Sequence, residues 1–307
     1  MKTKTILIPV IFLAVLMLCS GAALAKAVPA KAAAALFNPA NFVLIRGGEF
    51  TMGSPEGEVD RRSNEALHQV RVSNFLMSRY SVTVAEFRKF VKASGYQTDA
   101  EKGGFSDIGS NAKNKKEGVI NWRCGASGSV RPLSEENHPV VHVSWNDAVA
   151  YCRWISSKTG KRFRLPTEAE REYACRADSR TSFNTGENVT TDQANYNGNN
   201  PYNNNPKGIY RENTVPVNSF APNAWGLYNM HGNVWEWCSD WFSGTYYGEC
   251  KASGMVKNPA GPATGSGRVL RGGSWGGDAG SCRSANRSGG ISDGHDDDVG
   301  FRIVLVP

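Results

Sequence analysis

The 307-residue chain has no CxxC pair, only five histidines, and no long apolar run after residue 18. The first two absences leave little for a zinc site, which gathers Cys and His at short spacings. The third excludes a later membrane-spanning helix, which needs about 20 consecutive apolar residues. Charged residues are sparse at 21%, against a coiled coil, and hydrophobics at 40% are too many for a disordered chain. No internal repeat is found. The cations are scattered (Arg61-Arg62, Lys115-Lys116, Lys161-Arg162), and no basic stripe interleaved with aromatics occurs, so no nucleic-acid partner is expected.

What the chain does have is 33 Gly and 14 Pro, which predict many turns and loops. It also has a leader-like start. Lys2 and Lys4 precede an apolar run from Ile6 to Leu18, and Ala23-Leu24-Ala25 offers small residues at a cleavage point. That order predicts a secretory signal peptide over 1–25 and an exported protein, at the cell surface, in the outer envelope or in the periplasm. Leu16-Met17-Leu18-Cys19 leaves lipid attachment at Cys19 open. Cys124, Cys152, Cys175, Cys238, Cys250 and Cys282 remain, and export permits disulfides among them.

Residues 26–40 are Ala-rich and read as a linker, followed by one α+β domain over 41–307. Phe42 to Ile45, Gly47-Gly48 and then Phe50 and Met52 read as a strand pair with a Gly turn, and Val70 to Met77 as one more strand. Further short strands are predicted at Val215–Val217, Val234–Trp237, Val269–Arg271 and Phe301–Val306. Thr83-x-x-Glu86, Ser144-x-x-Asp147 and Thr167-x-x-Glu170 each read as a capping box opening a helix, the second closed by Gly160. Nine Asn between Asn184 and Asn205 predict irregular, hydrogen-bonded loop.

Several segments resemble the sulfatase-modifying-factor family, typified by the formylglycine-generating enzyme. They are Ile45-Arg46-Gly47-Gly48, His138-Pro139-Val140, Arg164-Leu165-Pro166-Thr167-Glu168-Ala169-Glu170, Gly226-Leu227-Tyr228-Asn229-Met230, Gly232-Asn233-Val234-Trp235-Glu236-Trp237, Arg271-Gly272-Gly273-Ser274-Trp275 and Gly300-Phe301-Arg302. The resemblance implies a C-type lectin-like fold with few helices, short antiparallel strands and much irregular loop. It places Ser274 and Trp235 near the family's active site. It also implies a copper ion held by two Cys, a donor type that selects Cu(I). The first of these falls at Gly277, and an alternative register on Arg283-Ser284-Ala285-x-Arg287 puts Cys282 off the site, so copper and catalysis are not expected. One structural calcium is implied at Asn229, Gly232, Val234 and Glu236, with side chains bonding the loop backbone as the other reading. By resemblance, Cys152 and Cys175 match family disulfide cysteines whose partner positions hold Ile303 and Ser284; Cys175 with Cys282 and Cys238 with Cys250 are candidate pairings, with some cysteines remaining small buried hydrophobes as the other reading.

Between two family-like segments lies Gly276 to Asp298, rich in Gly, Asp and Ser. This stretch is similar to the diversified segment of variable proteins from diversity-generating retroelements, which share the fold. The resemblance implies a ligand surface made by Trp275, Gly276, Gly277, Asp278, Gly280, Ser281, Ser288, Gly289, Gly290, Ile291, Ser292, Asp293, Gly294, His295, Asp296, Asp297 and Asp298. The expectation is thus a non-catalytic, monomeric display protein that needs no cofactor and binds a protein or glycan. The alternatives are a copper-dependent oxidoreductase of the family and an envelope accessory protein.

Overall fold

The computed structural model describes residues 36–108 and 120–307; the leader-like segment and Cys19 lie outside them. The apolar alternation on both sides of Gly47 forms two strands, β1 (Phe42–Ile45) and β2 (Gly48–Met52). They do not pair with each other. β1 lies antiparallel to β4 (Phe75–Ser78), and β2 to β3 (His68–Val72). The register runs on unbroken across the gap, with Ile45 opposite Phe75 and Gly48 opposite Val72. The Val70–Met77 segment is therefore not one strand but half of a ladder folded over at residues 46–47 and 73–74. Gly47 is required at the fold, because a Cβ there would lie 2.4 Å from the Val72 carbonyl oxygen. Its N–H donates to Asn74 Oδ1 at 2.7 Å, which satisfies a donor the ladder cannot use.

The bend distributes the ladder over two sheets. One has the order β1-β4-β11-β5, with β5 at Phe163–Arg164 and the C-terminal β11 at Val304–Leu305. The other is β2-β3-β7, with β7 at Val256–Lys257. A third sheet, β10-β6-β8-β9, is built from β6 (Trp235–Trp241), β8 (Arg268–Arg271), β9 (Arg287–Gly290) and β10 (Val299–Gly300). No strand forms at Val215–Val217. The Val215 N–H is taken by the Asn233 side chain and the Val217 N–H by the Asn137 carbonyl, so neither is free for a ladder.

All three expected capping boxes form, opening α1 (Val84–Ser94), α3 (Trp145–Thr159) and α4 (Glu168–Arg176). A fourth box, Thr98 with Glu101, opens the short α2 (Asp99–Gly103). Gly160 closes α3 in the left-handed conformation, where a side chain would be strained. α1 and α3 bury Phe87, Phe90, Tyr151 and Trp154 in one aromatic core with Phe301. Phe37, inside the stretch read as linker, packs on the same core through Phe163. α5 (Tyr246–Ser253) lies against β3. Neither expected disulfide forms: Cys175, Cys282, Cys238 and Cys250 are buried thiols.

α4 departs from an amphipathic helix, since every residue from Glu168 to Arg176 is buried. Its charges are matched by buried groups of opposite sign, most of them from elsewhere in the chain. Glu168 meets Arg287, Glu172 meets Arg271 and Arg176, and Arg171 meets Glu236. Arg283 is held by Glu58 and Glu65. These pairs are bonded at both ends, which is the condition under which buried charge is tolerated.

Candidate functional site

The buried arginines decide which part of the C-terminal segment is fixed. Arg283 reaches Glu65 through two nitrogens at 2.9 and 2.8 Å and Glu58 at 2.6 Å. Together with Arg287 it pins the turn from Cys282 to Arg287 into the body of the protein. The backbone beyond β8 then turns through Gly272 and Gly273, both at positive φ. A Cβ on Gly273 would lie 2.6 Å from Cys282 Sγ, so the two passages touch.

This turn delivers Ser274 to the opposite loop. Its hydroxyl is wholly buried and donates to Asp298 Oδ2 at 2.6 Å. Asp298 is placed by β6: the Trp235 N–H donates to its carbonyl at 2.8 Å, in the ladder that pairs Val299 with Trp235. Trp275 lies alongside, its indole N–H donating to the Asp297 carbonyl at 3.3 Å, and Tyr210 stacks on it at 6.3 Å. Gly276 is exposed, with open space where a side chain would be. Residues far apart in sequence (210, the backbone of 235, 274–275 and 297–298) are thus joined by one set of contacts. Burial pushes the Asp298 carboxyl up to about 6, with Asp296 adding to the rise and the Ser274 hydroxyl opposing it.

The segment 276–298 does not form a single surface. Gly276, Asp278, Gly289, Ile291 and Asp293 are exposed. Gly277, Ser288, Gly290, Ser292, Gly294, Asp296 and Asp298 are partly covered. Trp275, Gly280, Ser281, His295 and Asp297 are buried. Tyr210 lies just beyond the Asn-rich stretch, and nothing in its local sequence pattern marks it.

The calcium residues are used differently. Glu236 is buried, and its Oε2 accepts from Arg171 and Arg302, each at 2.7 Å, while Oε1 accepts from Ser81 at 2.7 Å. Burial opposes ionisation, but the two guanidinium groups outweigh it and hold the carboxyl at about 2. A carboxylate already facing two cations has no charge left for a third. Asn229 donates to the Val217 carbonyl, and the Gly232 N–H to the Gly272 carbonyl. Val234 donates its N–H to Gly232, an oxygen the calcium reading needs as a ligand. Glu236 is thus committed to an ion-pair network, whereas Asn229 Oδ1, the oxygen that the calcium reading needs, is buried with no hydrogen-bond partner among the described residues.

A two-thiolate copper centre does not fit at 277 and 282. Position 277 is Gly, and a Cβ there would lie 2.7 Å from Ser281 Oγ. Cys282 has no exposed surface, and its thiol donates to the Asp278 carbonyl at 3.7 Å. Burial pushes that thiol up to about 12, well away from a metal-binding thiolate. Ser284 Oγ lies 3.8 Å from Cys175 Sγ, which fits the register that puts Cys282 off the site. Among the described residues no three His, Cys, Asp or Glu side chains cluster as metal ligands.

The "Sulfatase-modifying factor enzyme 1-like domain" profile matches residues 26–306. The chain belongs to this family. It is 40% identical to the formylglycine-generating enzyme of Streptomyces coelicolor, over 92% of this chain and 96% of that one. It is also 34% identical, over 85% of its length and 84% of the other's, to the mouse protein named inactive Cα-formylglycine-generating enzyme 2. Among solved structures, PvdO from Pseudomonas aeruginosa superposes with a TM-score of 0.69 at 32% identity, over 87% of this chain and 94% of that one. Treponema denticola variable protein 1 shares the fold, with a TM-score of 0.61 at 23% identity over 87% of this chain and 95% of its own.

These relatives correct the expectation of a non-catalytic display protein. High identity over nearly the whole length is to enzymes, whereas the likeness to the variable protein reaches only the fold. The expectation that no cofactor is needed is corrected with it, since the resemblance assigns this class of enzyme a redox metal. No helix among the described residues is long and apolar enough to cross a membrane.

Proposed function

We propose that this chain is an oxidoreductase of the formylglycine-generating class, acting on a cysteine side chain of an exported polypeptide. The observation that carries the reading is the 40% identity to a formylglycine-generating enzyme across 92% of the chain. The contacts that join Ser274, the backbone of Trp235, Trp275 and Asp298 support it, because the resemblance places Ser274 and Trp235 at the family's site. The leader-like residues 1–25 support an exported location.

The test is to incubate the purified protein with a cysteine-containing peptide, with and without added Cu(I), and to trap the aldehyde with an aminooxy probe for mass spectrometry. Aldehyde formation that Ser274→Ala reduces is the expected result. Absence of aldehyde under both conditions, with a bona fide family enzyme as positive control, overturns the proposal.

A further inference from the structure

β2 ends its sheet, since the strand order is β2-β3-β7. The Arg71 carbonyl accepts from the Asn258 N–H at 2.7 Å, so the main chain of Arg71 turns toward β7. Glu49, its partner in the β2–β3 ladder, therefore sits in a non-hydrogen-bonded pair, with its own N–H and C=O directed away from β3. The alternation repeats at Thr51 and again at Gly53, whose outward N–H donates to Glu172 Oε1 at 2.9 Å. The Gly53 carbonyl accepts from Arg176 at 2.8 Å, so α4 closes that end of the edge. Glu49 and Thr51 are exposed and keep two outward donors and two outward acceptors. Edge strands are commonly blunted by lysine, proline or a bulge. β2 reads Gly-Glu-Phe-Thr-Met and pairs with β3 in an unbroken register from Gly48 to Met52, so it carries none of the three.

A groove of about 480 Å³ borders this edge, with Glu49, Phe50 and Thr51 among its lining and Tyr173, Arg176 and Arg180 across from them. The Phe50 and Tyr173 rings lie 5.0 Å apart and give it an apolar floor. The rim beyond α4 is set by its backbone. Ala177 and Asp178 hold φ of 45° and 73°, a conformation that costs a non-glycine residue energy, and the Trp225 indole donates to Asp178 Oδ2 at 3.2 Å. We propose that the groove docks an extended segment of a second polypeptide as an added strand beside β2, with an apolar side chain over Phe50 and Tyr173 and an acidic one at Arg180. The outward groups of Glu49 and Thr51 supply backbone bonds, which read no sequence, and the two side-chain contacts supply the choice. The sign follows from the charges present. Glu49 is matched by Arg71 at 3.7 Å, Arg176 by Glu172 at 2.9 Å, and Asp178 is engaged by Trp225. Arg180 is exposed on the rim and in no ion pair among the described residues, which leaves its charge for the incoming chain. This docking is separate from any chemistry at Ser274.

The test screens the full chain against a positional-scanning library of N-acetylated hexapeptides and measures the selected peptide by fluorescence anisotropy. The expected selection is an apolar residue at one position and Asp or Glu at another. N-methylating the peptide at every second residue should weaken binding about 10-fold, and methylating the intervening residues should leave it unchanged, because only alternate amides of an added strand face β2. Thr51→Pro removes an outward N–H but no ladder bond to β3, so it should weaken binding by a similar factor without unfolding the chain, as read by circular dichroism. Arg180→Glu should turn the selected acidic position basic. Failure to select any peptide, binding indifferent to the N-methyl pattern, or an acidic preference that survives Arg180→Glu each overturns the proposal. So does a wild-type dimer in sedimentation that Thr51→Pro dissolves, since the occupant would then be a second copy of this chain.

Discussion

Arg287 grips Glu168 through two parallel hydrogen bonds, Nε to Oε1 at 2.6 Å and Nη2 to Oε2 at 2.7 Å, with both side chains out of water. Arg287→Ala would leave the buried Glu168 carboxylate with the longer 3.3 Å contact to Arg271 in place of two hydrogen bonds, at a cost of about 3–5 kcal/mol. Replacing both partners with apolar residues of similar volume should recover much of that loss. Urea unfolding followed by circular dichroism reads both variants; a single-variant loss under about 1 kcal/mol, the range of an exposed pair, contradicts the assignment.

The helices were legible because their signals are local. A Ser or Thr followed three residues later by Glu or Asp satisfies first-turn N–H groups whatever the rest of the chain does. The bend at Gly47 was not legible, because the close approach that demands it comes from Val72, a contact visible only once the ladder forms. The arginines were missed for a related reason. Nothing local marks Arg171, Arg283 and Arg302 as buried, because their carboxylate partners lie tens or hundreds of positions away. At the site, Ser274 and Trp235 were picked out by resemblance. Asp298 was read as a surface group among other aspartates, and only the fold shows which one faces Ser274.

Glu236 makes a pH prediction. Its folded pKa, about 2, lies below the ordinary value of 4.5. The stabilisation is therefore complete above about pH 4.5 and is lost as pH falls through about 2. Glu236→Gln should be much less stable than wild type at pH 7, and the gap should narrow across that window. Unfolding free energies measured from pH 7 down to pH 2 check this; a gap independent of pH is the opposing outcome.

Asp240 works in the other direction. Burial, reinforced by the charge of Glu168, pushes its carboxyl up to about 7 from 3.8. Ionising it inside the protein is costly, so stability is lost as pH rises from about 4 through 7. Its Oδ2 accepts from the Glu168 N–H and the Ser239 hydroxyl, and an Asn oxygen can accept both. Asp240→Asn should raise the melting temperature at pH 8 more than at pH 5, as read by scanning calorimetry.

Gly47→Ala tests the bend. The added methyl would overlap the Val72 carbonyl, and backbone on both sides leaves no flexible group to yield. A destabilisation of about 1–3 kcal/mol is expected. Gly57, which has no atom within 4 Å of an added Cβ, is the control, and Gly57→Ala should be close to neutral.

The position of β11 bears on when the protein can finish folding. Val304 and Leu305 sit between β4 and β5, with Val304 opposite both Met77 and Arg164. The first sheet has no direct strand contact joining β4 to β5 until those residues arrive. β1, β4 and β5 must therefore all be made before the strand that closes their sheet. A polypeptide interrupted ahead of Val304 would leave β4 with an open edge, where another chain could pair.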